Sequence, residues 1–139
     1  MAWLLDTNTC IYLLTGNQPD YQHNILARLD ALPRNERPLI SSVVLSELQY
    51  GVRKSRWRKA NQALLDEFLL DFDVSDYGAS AAVFYGELRT GLEKRGQPIG
   101  PMDMMIAAHA LALDATLVTH NTREFARVKG LRLEDWTDH

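Results

Sequence analysis

Short apolar runs, Trp3-Leu4-Leu5, Leu39-Ile40 and Ala115-Thr116-Leu117-Val118, are separated by stretches in which apolar residues recur at helical spacing. Runs this short and continuous suit strands buried on both faces, and strands alternating with helices imply a parallel sheet covered by helices. The expected strands are Met1 to Leu5, Pro38 to Ser41, Phe72 to Val74, Ala115 to Thr119 and an edge strand at Leu131 to Leu133. Between them, helices are expected from Thr7 or Asn8, over Tyr21 to Leu32, around Glu47 with Ser42 as its cap, over Trp57 to Leu70, over Tyr77 to Lys94, and from Pro101 to near Asp114. The spacing therefore predicts a three-layer α/β/α architecture around a central, mainly parallel sheet of four to five short strands.

Composition narrows the class. A chain of 139 residues fits one domain, 1–139, and can bury a core without a disulfide or structural metal. Hydrophobic residues make up 46% and charged residues 24%, an ordinary balance that excludes disorder and fibrous bias. The lone cysteine, Cys10, has no partner for a disulfide or a zinc site and reads as core, which fits a reducing cytoplasm. No stretch reaches the length of a membrane span and no basic–apolar signal segment opens the chain, so the expected location is cytoplasmic, without a membrane.

Three acids stand in apolar settings. Asp6 ends the first strand, Glu47 lies in Ser41-Ser42-Val43-Val44-Leu45-Ser46-Glu47-Leu48, and Asp103 follows Gly100-Pro101-Met102 at the opening of an otherwise apolar helix. Taken alone, Asp103 suits the first helical turn simply as a partner of the helix dipole. In open parallel sheets, however, working sites form beyond the strands' carboxyl ends, where strand order reverses. Asp6, Ser41-Ser42 and Thr119 to Asn121 all fall at that end, which brings Asp6, Glu47 and Asp103 together and leaves Asn121 within reach. Gathered carboxylates repel, so one takes up a proton or a cation neutralises them. Mg²⁺ prefers such oxygen ligands and completes its shell with water and phosphate, and Mn²⁺ can substitute. The chemistry expected of that set is phosphodiester hydrolysis.

The net charge is −3, yet Arg53-Lys54-Ser55-Arg56-Trp57-Arg58-Lys59 holds five cations and no anion. Arg53, Lys54, Arg56, Arg58 and Lys59 are either a solvated helix end or an RNA-binding surface. His109 lies six residues beyond Asp103 and is expected in the core or an interface; His120 is expected on a surface loop.

Four blocks in order, Leu4-Leu5-Asp6-Thr7-Asn8, Ile40 to Gly51, Gly100 to Ala110 and Leu117 to Phe125, resemble a PIN-domain ribonuclease of the VapC toxin type over nearly the whole chain. The resemblance implies a metal-dependent endoribonuclease that inhibits translation as the toxin of a toxin–antitoxin pair. Positions matching Asp6, Glu47 and Asp103 form the Mg²⁺ site, and Thr7 and Thr119 match supporting positions; either threonine could equally cap a local turn. Many members have a fourth acid where this chain has Asn121, which can offer only an uncharged carbonyl oxygen. The Gly-Pro before Asp103 and the Asn-Thr-Arg-Glu-Phe run resemble VapC toxins that cut tRNA in the anticodon stem-loop. Implied partners are a VapB-type antitoxin in a hetero-oligomer, a second copy in a homodimer, and operator DNA only through the antitoxin. Three other readings compete. A phosphotransferase lacks a second acid beside Asp6 and a Gly-rich phosphate loop. A receiver-like domain leaves Glu47 and Asp103 unexplained. A catalytically weak or inactive PIN-like RNA-binding module would hold RNA without cutting it.

Overall fold

The computed structural model describes residues 1–138. Among them the chain runs β1 (Trp3–Leu5), α1 (Thr7–Thr15), α2 (Pro19–Asp30), β2 (Leu39–Ser41), α3 (Ser42–Lys54), α4 (Arg58–Leu69), β3 (Asp73–Ser75), α5 (Ala79–Lys94), α6 (Pro101–Ala112), β4 (Thr116–Val118), α7 (Thr122–Phe125) and β5 (Leu133–Glu134). The strands form one sheet in the order β3-β2-β1-β4-β5, every pair parallel. Leu4 pairs with Leu39 on one side and Leu117 on the other, so β1 is central and strand order reverses between β1 and β4. α1 packs with α2, α3 and α4, while α5 packs along α6. Right-handed crossovers place these two groups on opposite faces of the sheet, giving the three layers.

The middle strands are apolar because both of their faces are covered. Leu4, Leu5, Ile40, Leu117 and Val118 are fully buried, and Trp136 closes the core beyond β5. α6 has no polar side to speak of: Met104, Ile106, Ala107, Ala108, His109 and Ala110 are all buried, as expected of a helix enclosed by protein. His109 is thus a core residue. Its Nδ1 lies 2.7 Å from Ser41 Oγ and its Nε2 lies 3.2 Å from Ser75 Oγ, and burial lowers its pKa.

Several boundaries differ from expectation, each for a local reason. Asp6 itself, not Thr7 or Asn8, caps α1. Ser41 rather than Ser42 caps α3, accepting from the Val43 amide at 3.1 Å, while Ser42 Oγ accepts from the Tyr77 amide at 3.0 Å. That bond holds Tyr77 outside α5, which starts at Ala79. Pro19 opens α2 instead of only ending α1, because proline suits a first helical position; α1 stops at Gly16, whose φ of 61° is left-handed. β5 lies at Leu133–Glu134, later than its apolar alternation suggests, because Leu117 and Val118 set its register. The short α7 has no helical periodicity to announce it.

The β1–β4 pair is the packing centre. Leu117→Ala is expected to lower the unfolding free energy by about 2–5 kcal/mol, read from urea denaturation; a loss below about 1 kcal/mol would contradict close packing there.

Candidate active site

Asp6 leaves β1 and at once caps α1. Its Oδ1 accepts from the Thr9 amide at 2.9 Å and from the Thr9 hydroxyl at 2.7 Å, and its own amide donates to the Val118 carbonyl at 3.0 Å. The side chain is therefore pinned between β1 and β4, where strand order reverses. Burial pushes its carboxyl above the usual range, against the lowering effect of hydrogen bonds from Thr119 and Thr9; the nearby Asp135 charge adds to the rise.

Glu47 lies partly buried on α3. The Thr7 hydroxyl donates to its Oε1 at 2.5 Å, which ties the start of α1 to α3, and Oε2 has no hydrogen-bond partner among the described residues. Asp103 stands in the first turn of α6, two residues after Pro101. Its carboxyl is pushed up to about 6, first by burial and then by the charges of Asp6, Glu124 and Glu47. Three acids far apart in sequence thus converge, and a fourth joins them.

That fourth acid is Glu124, in the first turn of α7. The sequence pattern pointed to Asn121 for the fourth position and not to Glu124. Asn121 instead serves Glu124: its Nδ2 donates to Glu124 Oε2, while its backbone amide donates to Thr119 Oγ1 at 2.9 Å. The available signal was the Asn-x-x-Glu spacing, which sets a helix cap facing the third residue of its helix. Among the described residues none of Asp6, Glu47, Asp103 and Glu124 has an ion-pair partner. Negative charge accumulates there uncompensated.

His120 is exposed at the rim, with Nδ1 3.0 Å from Asp135 Oδ2 and 2.9 Å from Thr137 Oγ1, and its ring lies 5.1 Å from that of Tyr21. The basic run does not join the acids. Arg53 and Lys54 end α3, and Arg58 and Lys59 begin α4.

A sequence profile described as "PIN domain" matches residues 3–131. Ribonuclease VapC2 of Rickettsia felis is 46% identical over 136 residues, covering 98% of both chains. The chain belongs to the PIN-domain family, in its VapC branch. The tRNA(fMet)-specific endonuclease VapC of Shigella flexneri is 42% identical, with 99% of each chain covered. Among solved structures, VapBC2 of Rickettsia felis bound to a promoter DNA fragment superposes with a TM-score of 0.88 over 98% of this chain and 99% of that one, at 46% identity. VapBC-1 of nontypeable Haemophilus influenzae superposes with a TM-score of 0.90 at 35% identity, covering 99% and 100% of the two chains. The α/β/α layering of this PIN domain is that of the VapC structures.

The crowding of carboxylates gives stability a defined dependence on pH. A carboxyl raised from 3.8 to about 6 binds its proton more tightly folded than unfolded, so unfolding free energy falls as pH rises between those values. Above them the Asp103 charge remains a net cost. In the presence of a chelator, Asp103→Asn is expected to stabilise the fold at pH 8 by about 1–2 kcal/mol, once partial exposure is discounted. The gain should shrink as pH falls from 6 to 4; an equal gain at pH 8 and pH 4 in paired denaturation curves would contradict the assignment.

Proposed function

We propose that this chain, as a single PIN domain, is a divalent-metal-dependent endoribonuclease and the toxin of a toxin–antitoxin pair, inhibiting translation by cutting tRNA in the anticodon stem-loop. The observation that carries the reading is the convergence of Asp6, Glu47, Asp103 and Glu124 at the strand-order reversal, none of them ion-paired among the described residues. The ribonuclease activity in the Rickettsia relative's name and the tRNA specificity in the Shigella relative's name support it.

The donor set fits a hard cation. It consists of carboxylate oxygens, and the charges of Asp6, Glu124 and Glu47 add to the burial that raises Asp103's carboxyl, a repulsion that a cation would relieve. Among the described residues no three His, Cys, Asp or Glu side chains form a preformed cage. The fit is therefore to an open site of the Mg²⁺ kind, in which one or two carboxylates bind directly and water or phosphate supplies the rest. Asp6 and Asp103 would hold the ion. When bound, Mg²⁺ supplies Lewis-acid activation and neutralises charge developing on the phosphate.

The chain's own residues supply orientation. Glu47, fixed through Oε1 by Thr7, presents Oε2 to hold the attacking water and take its proton. Thr9 and Thr119 hold Asp6 in place. Asn121 assists by aligning Glu124, whose charge acts on Asp103. The cations Arg53, Lys54, Arg56, Arg58 and Lys59 draw in the RNA backbone from the far end of α3.

A VapB-type antitoxin is the controlling partner, in keeping with the VapBC assemblies among the structural neighbours. An open groove of about 500 Å³ between α1, α3 and α4, lined by Ile11, Leu14, Leu48, Val52 and Leu64 and ending at Glu47, offers an apolar segment a seat beside the acids. An Arg on that segment would balance the pocket's charge through paired hydrogen bonds with carboxylate.

The test is end-mapped cleavage of purified tRNA by antitoxin-free protein with Mg²⁺. Asp103→Asn and Glu47→Gln are each expected to cut the rate by at least about 100-fold, with the fold retained by circular dichroism. Wild-type rates in either variant, or cleavage undiminished by a chelator, would overturn the reading. Replacing the five cations by Gln is expected to lower the slope of log affinity against log salt by about 0.7 for each phosphate no longer neutralised; an unchanged slope would remove them from the RNA path.

A further inference from the structure

Five of the chain's 15 Lys and Arg residues lie within seven positions, Arg53 to Lys59, in a molecule whose net charge is −3. All five are exposed, and among the described residues none of their side chains forms an ion pair or hydrogen bond. An acid-rich surface would ordinarily pair such cations, so their isolation keeps a concentrated positive charge available.

Two large rings stand among them. Tyr50 and Trp57 are each 66% exposed, and the Trp57 side chain caps nothing at the start of α4. The Arg56 guanidinium lies 5.2 Å from the Trp57 ring centroid, and the Lys54 ammonium lies 5.3 Å from that of Tyr50. A cation over one face steadies each ring while leaving much of it open to solvent. The packing of the core accounts for neither ring.

Position links this surface to the acids. Glu47, Tyr50 and Lys54 follow one another at i, i+3 and i+7 along one face of α3, so the Tyr50 ring and the Lys54 cation lie within about 10 Å of Glu47 along the helix axis. The groove that ends at Glu47 is also lined by Ser55, and Ser55 opens a second pocket of about 590 Å³ formed by Arg56, Trp57, Arg58, Lys59 and Ala60. Ser55 is thus common to the groove beside Glu47 and the pocket beside Trp57.

We propose that Trp57 and Tyr50, with the surrounding cations, form a stacking platform for unpaired nucleotides of the RNA substrate, flanking the bond cut at the acids. The inference rests on the ribonuclease reading. The cations meet phosphates, and the rings meet base faces, which every base possesses, so the platform tolerates sequence. Base faces are accessible only where RNA is unpaired. The platform therefore selects loops over paired stems.

The chain carries its own reporter. Of its three tryptophans, Trp136 is 1% exposed and Trp3 is partly buried, so quenching by a stacked base falls on Trp57. In EDTA, an RNA hairpin with an unpaired loop is expected to quench tryptophan fluorescence, and a blunt RNA duplex of equal length to quench far less. Trp57→Phe should lose the quench but hold affinity within about threefold, since phenylalanine still stacks; Trp57→Ala should weaken hairpin binding about tenfold. With Mg²⁺ restored, the KM of Trp57→Ala should rise by a similar factor, with a much smaller change in cleavage at saturating RNA. Hairpin affinity and KM unchanged in Trp57→Ala, while wild type still cuts RNA, would overturn the platform alone. Weakened capture of the antitoxin with RNA affinity intact would reassign the surface to that protein and likewise overturn it. A wild-type chain that neither binds nor cuts RNA would remove the ribonuclease reading itself.

Discussion

Uncompensated negative charge at the carboxyl ends of β1 and β4 is the constraint around which the rest of the structure is arranged. Asp6 serves two roles that oppose each other. As the cap of α1 it gains from being ionised, accepting from the Thr9 amide and hydroxyl. As a buried carboxylate near other acids it is pushed toward its neutral form. The fold sustains this because the same residue joins β1 to β4 through its backbone, so the charged group cannot be displaced without disturbing the central strands.

The remaining acids are delivered by different layers. α3 brings Glu47, α6 brings Asp103 and α7 brings Glu124, while short polar bonds set their relative positions: Thr7 to Glu47, Asn121 to Glu124, and Asn121 to Thr119. The buried His109 adds a brace between α6 and the Ser41 cap of α3. Ser41 Oγ already accepts from the Val43 amide, so a neutral ring with Nδ1 as acceptor satisfies its hydroxyl proton, and Nε2–H then meets Ser75. Lowering of the His109 pKa by burial agrees with that neutral state.

How much can be read from the chain alone follows from which residues have contrast with their surroundings. Asp6, Glu47 and Asp103 stand out because each is an acid in an apolar stretch, and the alternation of strands and helices locates them at one end of the sheet. Glu124 has no such contrast. It sits in Asn121-Thr122-Arg123-Glu124, where an acid in a first helical turn is what any surface helix would carry, and only tertiary folding shows it facing Asp103. The caps at Asp6 and Ser41 fall earlier than the pattern suggests because each residue does two jobs, ending a strand and starting a helix. Trp57, by contrast, stands inside a run of five cations that the sequence already marks as solvated or RNA-binding, and it is 66% exposed.

The most direct measurement is calorimetric titration of Mn²⁺ into the antitoxin-free chain, in buffers of different ionisation enthalpy, from pH 5.5 to 8. With Asp103's carboxyl pushed up to about 6, first by burial and then by its acidic neighbours, ion binding should release about three-quarters of a proton at pH 5.5, about half of one near pH 6 and almost none at pH 8. Absence of Mn²⁺ binding, or binding without proton release at pH 5.5, would contradict the claim that these carboxylates form one cation-binding site.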